Sequence, residues 1–285
     1  MPSGVIDIQR LRATLEPNRA CRSIKSRGGQ SIKWRVGRAI EWTAETDSTN
    51  DWAWEFIDVE AADGLVVVTE YQRLGRGRLG RSWISPRGAS LLFSVLLIDE
   101  AGALNGGEIG LLAAVACAGA VSKTTQLICS IKWPNDLLVS GKKVGGILVE
   151  SRKRGDGTLC YALGIGINCL QQAGHLPPAL AGSATSLEIE CAAAIDRTAL
   201  LTNILKELDG WLADPGRWGY EDLHAQWLAR CEFVGRRVEL QHANRMFVGT
   251  MLDIDPAAAL LVRLDEGGIR RFDASDTTVL STQNP

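Results

Sequence analysis

The sequence predicts an α+β fold, a mixed or antiparallel sheet with packed helices, followed by a small C-terminal β-barrel. Three observations carry that expectation. The runs "GLVVVTEYQ", "ASLLFSVLLI" and "TLCYALGIGINC" have the β-branched, apolar character of buried strands. Between and after them stand helical patterns, among them Arg197 to Leu212, which places Leu200, Leu201, Ile204, Leu205, Leu208 and Trp211 on one face. Beyond Gly235 the texture changes to short strands separated by tight turns. With 285 residues, 46% of them hydrophobic, the chain is long enough for one large core and one small one. The expected division is a basic N-terminal segment (1–35, partly ordered at most), a main domain (36–232) and the barrel (233–285).

Taken in order, "DIQRLRATL" (7–15) suits a short amphipathic helix, and the basic, turn-rich "NRACRSIKSRGGQSIK" follows it. Val36 to Thr46 suggests a strand. "DSTNDWAWEFIDV" then resembles a helix start, with Ser48 or Thr49 placed to cap free N–H groups and Asp51 in the first turn, where the dipole favours it. "GEIGLLAAVACAGAVSK" (107–123) is an apolar helix of small residues that permits close packing on a sheet. "LICSIKWPNDLLVSGKKVGGILVES" reads as two or three strands with a hairpin turn at Ser140-Gly141. "TLCYALGIGINC" is a further strand, broken by Gly164 and Gly166. A second helix is expected around 217 to 231. The closing strands are "RRVELQ", "RMFVGTMLDI", "ALLVRLD", "IRRFDA" and "TTVLS".

Charge and composition narrow the function. The net charge of −2 gives no reason to expect a polyanionic partner, although the first forty residues hold nine Lys/Arg against two Asp/Glu. A solvated or partly disordered tail is the favoured interpretation of that segment. One short helix there is too little for a helix-turn-helix. Seven cysteines without C-x-x-C pairs look like small core hydrophobes of a reducing compartment. His175, His224 and His242 lack metal-ligand spacing. No apolar run of about 18 residues stands out, so a soluble, cytoplasmic protein is expected.

"TEYQRLGRGRLGRSWISP" (69–86) contains G-x-G-x-x-G at Gly75, Gly77 and Gly80. A dinucleotide-binding turn would open a helix there, whereas this stretch runs through Pro86 into a strand. What remains is a flexible loop in which Arg73, Arg76, Arg78 and Arg81 alternate with glycine. Arginine forks suit phosphate and carboxylate, and four of them repel one another until an anion orders the loop. The second informative stretch, "KWPND", sets Lys132, Asn135 and Asp136 around a rigid turn. Mg²⁺ takes a carboxylate while keeping water and phosphate ligands; Pro-Asn-Asp alone is more often a β-turn. Lys143 opens the next strand ahead of Gly145 and Gly146, where small residues leave room for a ligand.

In sequence order, "DSTN" (47–50), "EYQRLGRGRLGRSWISPRG" (70–88), "KWPNDLL" (132–138), "KVGGILVE" (143–150), "LGIGIN" (163–168) and "ATSL" (184–187) together resemble the biotin protein ligase family. The resemblance runs from about residue 36 to the C-terminus. It implies a class II synthetase-like catalytic domain with an SH3-like C-terminal barrel. It implies ATP and Mg²⁺ as cofactors, biotin as substrate, and formation of biotinyl-5′-AMP followed by transfer to a lysine of a biotin carboxyl carrier protein. Neither a membrane nor sequence-specific DNA is an expected partner; an exposed edge strand is compatible with a homodimer.

By the same resemblance Ser48, Thr49, Asn50 and Gln72 contact biotin. Arg76, Gly77 and Arg78 fold over biotin and the adenylate phosphate. Arg78 and Lys143 are the expected catalytic charges, with Lys143 also reaching the biotin carboxylate. Lys132, Asn135, Asp136 and Asn168 fall on the ATP side, Asn135 and Asp136 beside the metal. Gly146, Gly164 and Gly166 belong to the pocket floor. Two rivals stay open at this stage. A lipoate protein ligase shares the adenylate chemistry, but the Arg-Arg-x-x-Gly-Gly-Gly stretch of that family is absent. A nucleic-acid-binding or regulatory module would use the basic segment and the arginine loop, and the acidic balance of the remaining chain opposes it.

Overall fold

The computed structural model describes residues 5–21, 24–25, 31–32, 35–180, 182–212 and 220–283. A two-residue ribbon, β1 (Ile24–Lys25) and β2 (Ser31–Ile32), stands apart from a seven-stranded sheet. The sheet comprises β3 (Ile40–Thr43), β4 (Val66–Thr69), β5 (Ser90–Asp99), β6 (Cys129–Lys132), β7 (Asp136–Val139), β8 (Lys142–Lys153) and β9 (Leu159–Asn168). Across the sheet they lie β3-β4-β5-β9-β8-β7-β6. The β3/β4 pair is parallel and the rest are antiparallel, so the sheet is mixed.

The helices are α1 (Ile8–Cys21), α2 (Thr49–Trp54), α3 (Gly106–Thr125), α4 (Leu187–Cys191), α5 (Arg197–Leu212) and α6 (Tyr220–Leu228). Because strand side chains alternate, each buried run feeds two faces. Val66, Val68, Leu91, Phe93, Val95, Leu97, Ile165 and Ile167 join α3 and α5 in the main core. Val67, Leu96, Ile98, Cys160 and Ala162 face the other way and meet Ala53 and Trp54 of α2. With only six residues, α2 covers part of that face. The rest lies under the β4–β5 loop, which contains the arginines.

Several expectations change. The strand sought over 36–46 is confined to β3, and β9 runs unbroken through Gly164 and Gly166, which pair in register with β5 and β8. The N-terminal helix is no solvated tail: Leu11 and Leu15 are fully buried in the main core. Burial at roughly 1.5–3 kcal/mol per leucine anchors a helix that its own basic composition would leave in water. Half of the basic stretch after it lies outside the described residues. At 20 residues α3 reaches membrane-spanning length and apolarity, but Leu111, Ala113, Ala114, Ala116 and Ala118 are buried inside the protein. The hairpin forms at Ser140 (φ 52°) and Gly141 (φ 73°), the left-handed pair that a two-residue turn of this hand requires.

The C-terminal strands are β10 (Arg237–His242), β11 (Arg245–Ile254), β12 (Leu260–Leu264), β13 (Ile269–Phe272) and β14 (Thr277–Gln283). They form one antiparallel sheet ordered β13-β12-β11-β10-β14. Its curved inner side buries Val238, Leu240, Val262 and Phe272. This is the SH3-like unit that the resemblance implied, although β13 and β14 remain sheet edges and the ladder does not close by strand pairing. It leans on the main domain: Trp133 Nε1 donates to Ala258 O at 2.7 Å, and a side chain at Gly107 would stand 2.3 Å from Ala257 O.

Candidate active site under the arginine loop

Glycines make the floor. Gly146 and Gly166 are direct partners across β8/β9, and Gly164 follows two residues along the same face. A Cβ on Gly166 would lie 2.8 Å from the Trp83 ring, one on Gly164 2.5 Å from Asn50 Oδ1, and one on Gly146 3.3 Å from the Trp83 ring. At Gly164 and Gly166 a side chain would force Asn50 or Trp83 to move, and at Gly146 the fit is merely tight. The β7/β8 register shifts between Leu137 and Leu138, which pair with Gly145 and Lys143 and leave Val144 as the extra residue. Val144 joins the main core, so the bulge turns Lys143 onto the same side as Gly146, whose Cβ position is 3.5 Å from Lys143 Nζ.

At one end of the floor lies the N-terminus of α2. Ser48 occupies the capping position, but its side chain makes no capping bond. Gln72 does that work: its Oε1 accepts from Thr49 N at 2.7 Å and from Thr49 Oγ1 at 3.0 Å. Ser94 Oγ lies 2.8 Å from Thr49 Oγ1 and 2.6 Å from Asn50 Oδ1, and Asn50 Nδ2 donates to Glu150 Oε2 at 2.8 Å. Ser48, Thr49, Asn50 and Gln72 thus converge, as their grouping in the motifs suggested.

The loop over this end is pinned by carboxylates. Arg76 pairs with Asp51, Nη2 to Oδ1 at 2.9 Å, and with Glu150 at 3.2 Å. Arg73 pairs with Asp47 at 2.6 Å and Glu45 at 3.3 Å. The Arg76 guanidinium holds the Asp51 carboxyl below the usual carboxylate range, and Asp51 raises Arg76 in return. Within the loop Gly77 N donates to Arg81 O at 2.7 Å and Trp83 N to Gly75 O at 2.8 Å. The arginines were expected to repel one another; acidic residues from neighbouring elements offset that repulsion. Only a three-residue 3-10 turn, Arg78–Gly80, follows the glycines. Gly77 itself has ordinary extended backbone, and a side chain there would make normal contacts.

The other end is arranged differently. Arg78 Nη1 reaches Asn135 Oδ1 at 3.4 Å, while its Nη2 is buried without a partner among the described residues. Burial pulls the Arg78 guanidinium below its ordinary value, and the Asp136 carboxylate opposes that fall. Lys143 Nζ sits 2.5 Å from Asp136 Oδ1 and 5.7 Å from the centre of the Trp83 ring. Lys132, half-buried, pairs with Asp136 across β6/β7. Asn135 is fixed by Nδ2 donating to Ile147 O at 2.7 Å. Two cations, Arg78 and Lys143, therefore stand at this turn, and Lys132 lies at the neighbouring ladder position.

Among the described residues no cluster of three or more His, Cys, Asp or Glu can hold a metal. Asp136 with Asn135 Oδ1 fits Mg²⁺ that arrives on nucleotide phosphates and keeps its waters, not an ion caged by protein. Asn168, expected on the ATP side, is instead buried in an internal network. Its Oδ1 accepts from Gln171 Nε2 at 2.8 Å and its Nδ2 donates to Thr185 O at 3.0 Å, which fixes the amide at the end of β9. Sequence reasoning missed Trp83, Ser94 and Glu150. A surplus of loop arginines was the available signal for Glu150, since four clustered cations require nearby acids.

Residues 42–168 match the model of the Biotin/lipoate A/B protein ligase family. The Biotin--[acetyl-CoA-carboxylase] ligase of Paracoccus denitrificans is 32% identical over 228 residues, covering 77% of this chain and 92% of that relative. The Bifunctional ligase/repressor BirA of Bacillus subtilis is 32% identical over 229 residues, covering 80% of this chain and 70% of the relative. A biotin protein ligase from Aquifex aeolicus solved in complex with biotin and ATP superposes with a TM-score of 0.73 at 26% identity, over 85% of this chain and 99% of that one. With the motifs assembled on one glycine floor and relatives of this similarity over most of their length, the chain belongs to the biotin protein ligase family.

Proposed function

We propose that this protein is an ATP-dependent biotin ligase that makes biotinyl-5′-AMP and passes the biotinyl group to a lysine of a biotin carboxyl carrier protein. In the first step an oxygen of the biotin carboxylate attacks the α-phosphorus of ATP, and the bond to pyrophosphate breaks. In the second step the carrier lysine nitrogen attacks the acyl carbon, the bond to the AMP oxygen breaks, and the amine proton is released. The first step brings two anions together, so it needs fixed cations where charge accumulates.

The observation that carries this reading is Arg78. A buried donor without a partner costs about 1–3 kcal/mol, and an anion bound there removes that cost. Arg78 and Lys143 approach the Asn135–Asp136 turn from the loop and from β8, so a phosphate at the turn meets both. Arg78 stabilises charge at the α-phosphate. Lys143, released from Asp136, reaches the carboxylate and phosphate, and Lys132 serves the nucleotide side. Magnesium carried on ATP supplies further neutralisation beside Asp136. Thr49, Asn50 and Gln72, with Ser48 at the helix start, present the polar edge that meets the biotin ring. Gly146, Gly164 and Gly166 let Trp83 and Asn50, which border the substrate, lie close against the sheet, and Arg76 with Gly77 holds the loop over it.

Among the described residues six cysteines are free, five of them buried, which suits a reducing cytoplasm. The test is pyrophosphate release with ATP and Mg²⁺, comparing biotin, lipoate and no acid. Release that depends on biotin alone is expected; release indifferent to the acid would overturn the reading.

A further inference from the structure

Arg197 opens α5, where the helix dipole disfavours a cation, and its side chain is only 2% exposed. A charge held there against both burial and dipole requires a dedicated partner, and the partner is Glu70, the first residue after β4 and the root of the arginine loop. Arg197 Nη2 donates to Glu70 Oε2 at 2.8 Å, and Glu70 is 8% exposed. The same guanidinium donates through Nη1 to Ser90 O at 2.7 Å, where the loop re-enters the sheet. Gly88 N closes the neck by donating to Glu70 O at 2.9 Å. One side chain of α5 thus joins both ends of the loop.

The remaining carboxylate oxygen receives a third group. Ile6 N donates to Glu70 Oε1 at 3.0 Å, and the adjoining Asp7 N donates to Thr198 Oγ1 at 2.9 Å. Ile6 itself is 3% exposed. The N-terminal segment therefore sits on the neck of the loop and completes the hydrogen bonding of its buried acid.

We propose that Glu70 and Arg197 are positioning residues which, with the Ile6 amide, clamp the neck of the arginine loop and so set how long the acyl adenylate is held beneath it. The proposal rests on the ligase reading for its substrate. None of the three groups touches the floor; each acts through the loop that bears Arg76 and Arg78. A loop with a loosened neck covers the reactive anhydride for less time.

The test uses the full chain. Ile6→Pro removes the amide donor and the side chain, whereas Ile6→Ala removes only the side chain, so their difference isolates the hydrogen bond. Glu70→Gln and Arg197→Lys alter the ion pair. For each variant the release of preformed labelled biotinyl-AMP is timed, the KM for biotin and kcat are separated, and trypsin cleavage after Arg73, Arg76, Arg78 and Arg81 is followed. Relative to Ile6→Ala, Ile6→Pro should release the adenylate about tenfold faster and be cut faster in the loop, at matched melting temperature. Glu70→Gln and Arg197→Lys should exceed that effect, and if either fails to fold, the Ile6 pair decides. Equal release and equal loop cleavage in the two Ile6 variants would overturn the clamp. A wild-type chain without biotin-dependent pyrophosphate release would instead defeat the ligase reading, while the trypsin comparison would still judge the clamp.

Discussion

Arg76 and Arg78 stand two residues apart on one loop and have opposite surroundings. Arg76 is half-exposed and neutralised by Asp51 and Glu150, whereas Arg78 is buried, touches one amide oxygen and has a nitrogen without a partner among the described residues. The difference extends to the two ends of the site. At the α2 end, Thr49, Asn50, Gln72, Ser94 and Glu150 form a closed network of hydrogen bonds that shapes a neutral, polar edge. At the turn end, Lys143 pairs with Asp136, Arg78 reaches Asn135, and Lys132 is the strand partner of Asp136. In the proposed division of labour one end recognises a shape and the other receives negative charge. The paired arginine, Arg76, ties the loop to Asp51 and Glu150, and the proposed chemistry falls to Arg78.

Breaking the charge-receiving end should have the largest effect. Arg78→Ala should lower biotin-dependent pyrophosphate release by roughly 100- to 1000-fold, the scale of removing one transition-state donor. Its melting temperature should change little, because an unpartnered buried charge is removed. Lys143→Ala should cost on the order of 100-fold in kcat and leave Asp136 without its ion pair. Gly166→Ala tests the floor: its methyl must displace the Trp83 indole 2.8 Å away, and kcat/KM should fall about tenfold with the fold intact. Glu150→Gln should act mainly on the KM for biotin, by a few fold, since Asn50 and Arg76 each keep a second partner.

The smallest expected effect is that of acid. The folded-state pKa of Asp51 is lowered, chiefly by its hydrogen bonds to Arg76. The contribution of the pair is therefore complete above the unfolded carboxylate value and is lost as pH falls through the lower folded value. Hydrogen-exchange protection of the loop, corrected for the intrinsic exchange rate at each pH, should accordingly hold steady from neutral pH down to the ordinary carboxylate range. Monitored by hydrogen exchange, loop protection should weaken only below that range, and Asp51→Asn should remove the transition. A loop that opens near neutral pH would point to a different latch.

Much of the fold was legible because the signals were local. The β-branched runs became β4, β5 and β9, and Ser140-Gly141 had the residues its turn demands. The motif residues Thr49, Asn50, Gln72, Lys143 and Asp136 met because the strands and loop that carry them share one sheet face. What stayed hidden depends on distance along the chain or on a break in periodicity. Nothing near Glu70 announces Arg197, which lies 127 residues away. The bulge at Val144, which reverses the face taken by Lys143, leaves no mark in "KKVGG". A helix over 7–15 was legible, but its docking was not, because its anchoring leucines are few and its packing surface is supplied by α5. Asn168 lay in a glycine-rich motif that suggested a ligand contact, but its amide is engaged with Gln171 and Thr185.

The division of labour between the two arginines is tested most directly by biotin-dependent exchange of labelled pyrophosphate into ATP, with Arg76→Ala and Arg78→Ala run side by side. The account predicts that Arg78→Ala abolishes most exchange even at saturating biotin, whereas Arg76→Ala regains exchange as biotin is raised. Equal losses that saturating biotin does not relieve in either variant would contradict it.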